Sequence, residues 1–299
     1  MRRGASSHGV AVCNTTLRQP SSVGRLPSAQ EVGSWVLSAH GSPRTRAALH
    51  RGMLALLSVS LLASMPCSQG QLLEGGGHVR LTTLRGPVHL WCRAGSEPQK
   101  IVVYVHGYRD DVDSAFKNHQ LAAQFAKSGV VDALFIAVAA PSGAEHPVMF
   151  GDLDELLERV GAPVAARVLV IGHSGGNRTL KAWLRSTRVE EVVLLDGFYG
   201  DAAPWTRWLT ERPGAVLRAV GQHTFVKAEA WRLSLPEEVR EQVTHERAAC
   251  GHMEIVTAGD WLPRVIAESA HPFKTAIGSS LTRGTTRSDS SSSTSPMSR

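Results

Sequence analysis

The chain lacks a long hydrophobic run. Its most apolar stretch, Met53 to Met65, is thirteen residues, about 20 Å of helix at ~1.5 Å per residue against a bilayer core of ~30 Å, so a stable membrane span is not expected. No internal repeat recurs at a period of roughly 20 to 50 residues, which argues against solenoids and propellers. Basic charge is also scarce where a nucleic-acid surface would need it. The formal net charge is +6, but the ends carry it: residues 71 to 278 hold 22 basic and 24 acidic side chains. Nucleic acid is therefore not an expected partner. The zinc-protease pattern H-E-x-x-H is missing too. In "HERAACGH" the second histidine follows His245 by seven residues, so the two imidazoles would not share a helix face, and no metal or other cofactor is expected.

What is present falls into three parts. Residues 1–70 are rich in Ser, Arg, Gly and Pro and read as an unstructured leader. Within it, residues 44–70 place Arg44, Arg46 and Arg51 before the apolar run and small residues Ser68 and Gly70 after it, the layout of a secretory signal peptide. A secreted or periplasmic location follows as an expectation. Residues 276–299 form a Ser/Thr/Arg tail that cannot bury apolar area. One domain, 71–275, remains.

In that domain eight strand-length apolar runs occur: "HVRLTTL", "VHLWC", "IVVYVHG", "ALFIAVAA", "VLVIGHS", "VVLLDG", "AVLRAV" and "QVTHERA". Helical patterns lie at 113–127, 152–160, 176–185, 203–211, 236–241 and 260–269. Two strands in succession followed by alternating strands and helices predict a mostly parallel α/β sheet covered by helices on both faces. Reactive groups then belong beyond the carboxyl ends of the strands.

Two strand ends carry chemistry. "VLVIGHSGGNRTLKAWL" runs from a buried strand through Gly172-His173-Ser174-Gly175-Gly176 into a helix. A serine in such a strained turn needs small neighbours, and the turn exposes its hydroxyl while aiming the Gly175 N–H at the same space. "IVVYVHGYRDD" ends in His106-Gly107-Tyr108, where the glycine lets the Tyr108 N–H face Ser174. Together these supply a nucleophile and two oxyanion donors.

The His-Gly after one strand, the G-H-S-G-G turn, an acid after the next strand and a late "CGH" resemble the α/β-hydrolase superfamily. The resemblance implies the α/β-hydrolase fold with an eight-stranded sheet, Ser174 as nucleophile, Gly175 and Tyr108 as oxyanion donors, and His252 as general base. It also implies a small-molecule or acyl substrate, with a carboxylic ester first. An amide or peptide bond, or a non-catalytic binding protein of the same fold, are the alternatives.

The acid is less ordinary. In most members it follows the strand after the next, here "AVLRAVGQHTF", which offers Gln222 and His223 but no carboxylate before Glu229. Asp196, at the end of "EVVLLDG", is the first candidate, with Asp201 and Glu229 behind it; Asp201 also reads as a helix cap before Pro204. His119, His146, His173 and His223 read as surface or packing residues, His146 near the substrate mouth. Cys92 and Cys250 either bridge, bracing the loop of His252, or remain two buried thiols.

Overall fold

The computed structural model describes residues 70–269 of the 299-residue chain. The leader, the signal-peptide-like run and the tail lie outside the described residues, apart from Gly70. Nine strands form one sheet: β1 (Gln71–Leu73), β2 (Gly76–Thr83), β3 (Gly86–Arg93), β4 (Lys100–Val105), β5 (Ala133–Val138), β6 (Arg167–His173), β7 (Val189–Leu195), β8 (Val216–Gly221) and β9 (Val243–Arg247). Their order is β1-β2-β3-β5-β4-β6-β7-β8-β9. The pairs β1–β2, β2–β3 and β3–β5 are antiparallel, and all pairs from β5 through β9 are parallel. The three-residue β1, paired with β2, adds a ninth strand to the eight that the apolar runs predict.

The apolar side chains of the strands alternate between two layers, as the two-residue period of a pleated strand requires. On β4, Ile101, Val103 and Val105 enter one layer and Val102 and Tyr104 the other. Helices α1 (Val112–Asn118) and α2 (Leu121–Lys127) cover the second layer through Phe116, Leu121 and Phe125. Helices α3 (Leu153–Arg159), α4 (Asn177–Trp183) and α5 (Ala203–Glu211) cover the first through Leu157, Trp183 and Trp205. Then come α6 (Phe225–Ser234), α7 (Glu237–Arg240), α8 (Glu254–Thr257) and α9 (Trp261–Ser269). Among the described residues no helix is long and apolar enough to cross a membrane.

Two corrections concern helices. The single helix expected over 113–127 is two, broken where Gln120 adopts φ 51°, a left-handed conformation that ends the first helix. Helix α6 had no clear periodic signal: it buries only Ala228 and exposes Val226 and Leu233. A third correction concerns the cysteines. Cys92 is disulfide-bonded, but not to Cys250. Cys92 on β3 points into the first layer and Cys250 lies in the second, so the sheet stands between them.

Candidate active site

Ser174 opens a 3-10 turn, Ser174–Gly176, between β6 and α4, and its backbone sits at φ 50°. A non-glycine residue held there costs roughly 1–3 kcal/mol, a strain that recurs at functional turns. The flanking glycines explain why the turn closes. A Cβ on Gly172 would stand 2.8 Å from Leu180 Cδ2, and one on Gly176 would stand 2.7 Å from the His106 carbonyl oxygen. A Cβ on Gly175 would run into the Tyr108 ring, and one on Gly107 would stand 2.9 Å from Ser174 Cβ. The strand end of β4 and the Ser174 turn are thus in van der Waals contact. His106 holds its own turn in shape: Nδ1 donates to Gly107 O at 2.7 Å, and Nε2 accepts from the Ala140 N–H at 2.9 Å.

Ser174 Oγ lies 3.0 Å from His252 Nε2, and His252 Nδ1 lies 2.8 Å from Asp196 Oδ2. A carboxylate only accepts, so Nδ1 carries the proton, and Nε2 is left with a lone pair toward the serine hydroxyl. Asp196 follows β7 with its own backbone at φ 44°, fixed by a 2.6 Å hydrogen bond from its N–H to Val220 O. Its side chain is 1% exposed, and Oδ1 accepts from the Thr224 N–H at 2.9 Å and the Thr224 hydroxyl at 3.0 Å. Burial opposes the charged form, but the hydrogen bonds from His252 and Thr224 outweigh it and hold the carboxyl far below the usual carboxylate range.

The competing acids sit elsewhere. Asp201 Oδ1 accepts the Ala203 N–H at the start of α5, a capping role, and Glu229 pairs with Arg232 and His245. Two histidines read as packing residues reach the site instead. His223 Nδ1 lies 3.1 Å from Asp196 Oδ2. His173 Nε2 donates to the His252 carbonyl at 3.0 Å, so the residue before the serine holds the loop of His252. His119 is buried against Tyr104 and Asp110, and its ring stands edge-on to His173. His146 bonds Ser142. Nothing in the sequence near His173 or His223 signals these partners, because both lie across the fold.

A cleft of about 620 Å³ opens over Ser174, walled by Tyr108, Arg109, Asp110, Asn118, His119 and Met253. A second cleft of about 660 Å³ lies at the opposite, amino-terminal edge of the sheet, where Glu191 and Arg218 pair; it holds neither Ser174 nor His252. Among the described residues, Asp196, His223 and His252 form a group whose metal-ligating atoms all lie within 4.8 Å of one another. The proton on each imidazole already accounts for that closeness, and a metal there would take the Nδ1 with which His252 reaches Asp196.

Burial first, then the neighbouring His252, lowers the His173 imidazole to about 3; burial and His89 lower His78 to about 4. Both stay neutral in the fold at pH values where the unfolded chain, with histidines near ~6.5, takes up protons. Their stabilisation is therefore complete above about 6.5 and is lost as the pH falls toward about 3. Urea melts should show a lower midpoint at pH 5 than at pH 7; equal midpoints would contradict the burial of both rings.

No family model and no curated protein matches the chain. Its structure is similar to that of an S-formylglutathione hydrolase from Agrobacterium tumefaciens, with 12% identity and a TM-score of 0.47 over 67% of this chain and 96% of that one. It is also similar to a thioesterase domain from the curacin biosynthetic pathway, at 12% identity and TM-score 0.40 over 64% and 98%. The bottromycin epimerase BotH is a third, at 16% and 0.38 over 64% and 98%. The architecture stands on the sheet itself: an antiparallel edge leading into parallel strands, the β5-β4-β6 crossover at the centre, and a serine turn between the central strand β6 and α4. The chain has the α/β-hydrolase fold.

Proposed function

We propose that the protein is a serine hydrolase that cleaves carboxylic esters through an acyl-enzyme. The observation that carries this reading is the unbroken relay from Ser174 Oγ through His252 to the buried Asp196, at 3.0 and 2.8 Å. In the first half-reaction His252 Nε2 takes the Ser174 proton as Oγ attacks the ester carbonyl. The oxyanion is received by the N–H groups of Gly175, which follows the nucleophile, and of Tyr108, which follows the Gly107 that packs against Ser174 Cβ. Collapse of the tetrahedral intermediate breaks the ester C–O bond, and the leaving alcohol takes the proton from His252. Water then attacks the acyl-enzyme with His252 again as base, releasing the acid and restoring Ser174. Asp196 stays ionised throughout, orienting His252 and balancing its charge. The fold alone does not carry this reading, since one fold hosts unrelated reactions; the three side chains in hydrogen-bond sequence do.

A panel of p-nitrophenyl esters beside chromogenic amides of the same acyl groups tests it. Turnover of the esters with a rapid burst, and little or none of the amides, is the expected result. Preferential cleavage of the amides would replace ester hydrolysis with amidase activity, and no turnover of either class by protein that binds a fluorophosphonate nowhere would overturn the enzymatic reading.

A further inference from the structure

Asp196 Oδ2 receives two imidazoles, not one. His252 Nδ1 lies at 2.8 Å and His223 Nδ1 at 3.1 Å from the same oxygen, with the two rings 5.7 Å apart between centroids. His223 leaves the end of β8, the strand end that in most members of the superfamily would carry the acid itself. Here a base stands in that place and turns back to the acid of the neighbouring strand. We infer that His223 is a positioning residue that shares Asp196 with His252, so that a positive charge at position 223 opposes protonation of His252. This rests on the triad reading above.

Asp196 is 1% exposed and fully engaged: Oδ1 is taken by the two Thr224 donors and Oδ2 by the two histidines. One carboxylate can balance one imidazolium. The His223 side chain is 60% exposed, so water reaches it. A proton resident on His223 occupies the charge of Asp196 and repels a second proton from His252. The other charged groups nearby are engaged elsewhere: Lys227 on α6 donates to Gly200 O, and Arg247 on β9 lies over the Phe225 ring. Tyr199 feels the same carboxylate, but burial and that charge together keep its hydroxyl protonated. His173, on the far side of His252, is held neutral. His223 is therefore the basic side chain that shares this carboxylate with His252.

The coupling is modest because one partner is exposed. Unit charges about 6 Å apart in a water-like medium shift each other's titration by roughly half a pH unit. The second-order rate of Ser174 labelling by a fluorophosphonate, measured against pH, reads the free enzyme without a known substrate. Relative to wild type, His223→Gln removes the charge and should move the acid-side half-point up by about 0.5, whereas His223→Lys fixes a cation there and should move it down by a similar amount. A merely structural role would lower the plateau and leave the half-points together. Identical half-points in all three proteins, with Ser174 labelled, overturn the role of His223 and leave the triad intact. Labelling that persists in Ser174→Ala overturns both.

Discussion

Ser174→Ala should abolish fluorophosphonate labelling and lower kcat on a p-nitrophenyl ester by on the order of 10⁶, leaving only the residual advantage of an oxyanion hole, roughly 10³ to 10⁴ over water. The fold should be almost untouched. Alanine keeps the Cβ that already packs beside Gly107, and the lost hydroxyl has His252 Nε2 as its partner, on a ring that water can reach. The circular dichroism spectrum and urea midpoint of the variant should therefore match wild type. The size of the effect follows from the relay acting as a unit: without Oγ, His252 has nothing to deprotonate but water, and no acyl-enzyme forms. Ester turnover undiminished by the substitution would remove Ser174 from the mechanism.

Asp196→Asn should cost up to about 10⁴ in kcat with Ser174 still present. The asparagine amide can accept from Thr224 through one atom, but the atom facing His252 becomes an N–H₂ donor opposite an N–H donor. The imidazole escapes that clash by moving its proton to Nε2, the tautomer that cannot take a proton from serine. Measuring kcat across Asp196→Asn, Asp201→Asn and Glu229→Gln separates the acids. The last two should stay within a few-fold of wild type, Asp201→Asn losing at most a fraction of a cap worth about 1 kcal/mol. Large loss at Asp201 or Glu229 with activity retained at Asp196 would reverse the assignment.

How much of this was legible in the sequence depends on the reach of each signal. The Ser174 turn was legible because its requirement is local: Gly172, Gly175 and Gly176 each face an atom that a side chain would strike, and those glycines are written within five residues. Asp196 stands out as a candidate because it is a carboxylate at a buried strand end, with Gly197 behind it. The two-layer sheet followed from apolar runs of strand length. By contrast, Gln120 ends a helix without a glycine or proline to announce it, and α6 buries a single small side chain, so neither leaves a periodic trace. Strand parity decided against a Cys92–Cys250 bridge. Closeness in a late loop said nothing about which face of the sheet each sulfur occupies. His223 was invisible for the same reason: its partner is 27 residues away and is met only after β7 and β8 are laid side by side.

The groups of the site are not equally anchored. Ser174 and Asp196 leave adjacent interior strands, with Gly172 opposite Leu194 and His173 opposite Leu195, so ladder hydrogen bonds on both sides set their spacing. His252 hangs beyond β9, five residues long, half-exposed, and paired on one side only. Elements with few buried contacts and exposed backbone hydrogen bonds open at lower free energy than core strands. On warming, β9 should let go before the interior, drawing His252 away from Ser174 and Asp196 while those two are still in register. On the proposed mechanism, activity is then lost through fraying of this edge while the core remains folded, and regained without refolding the rest.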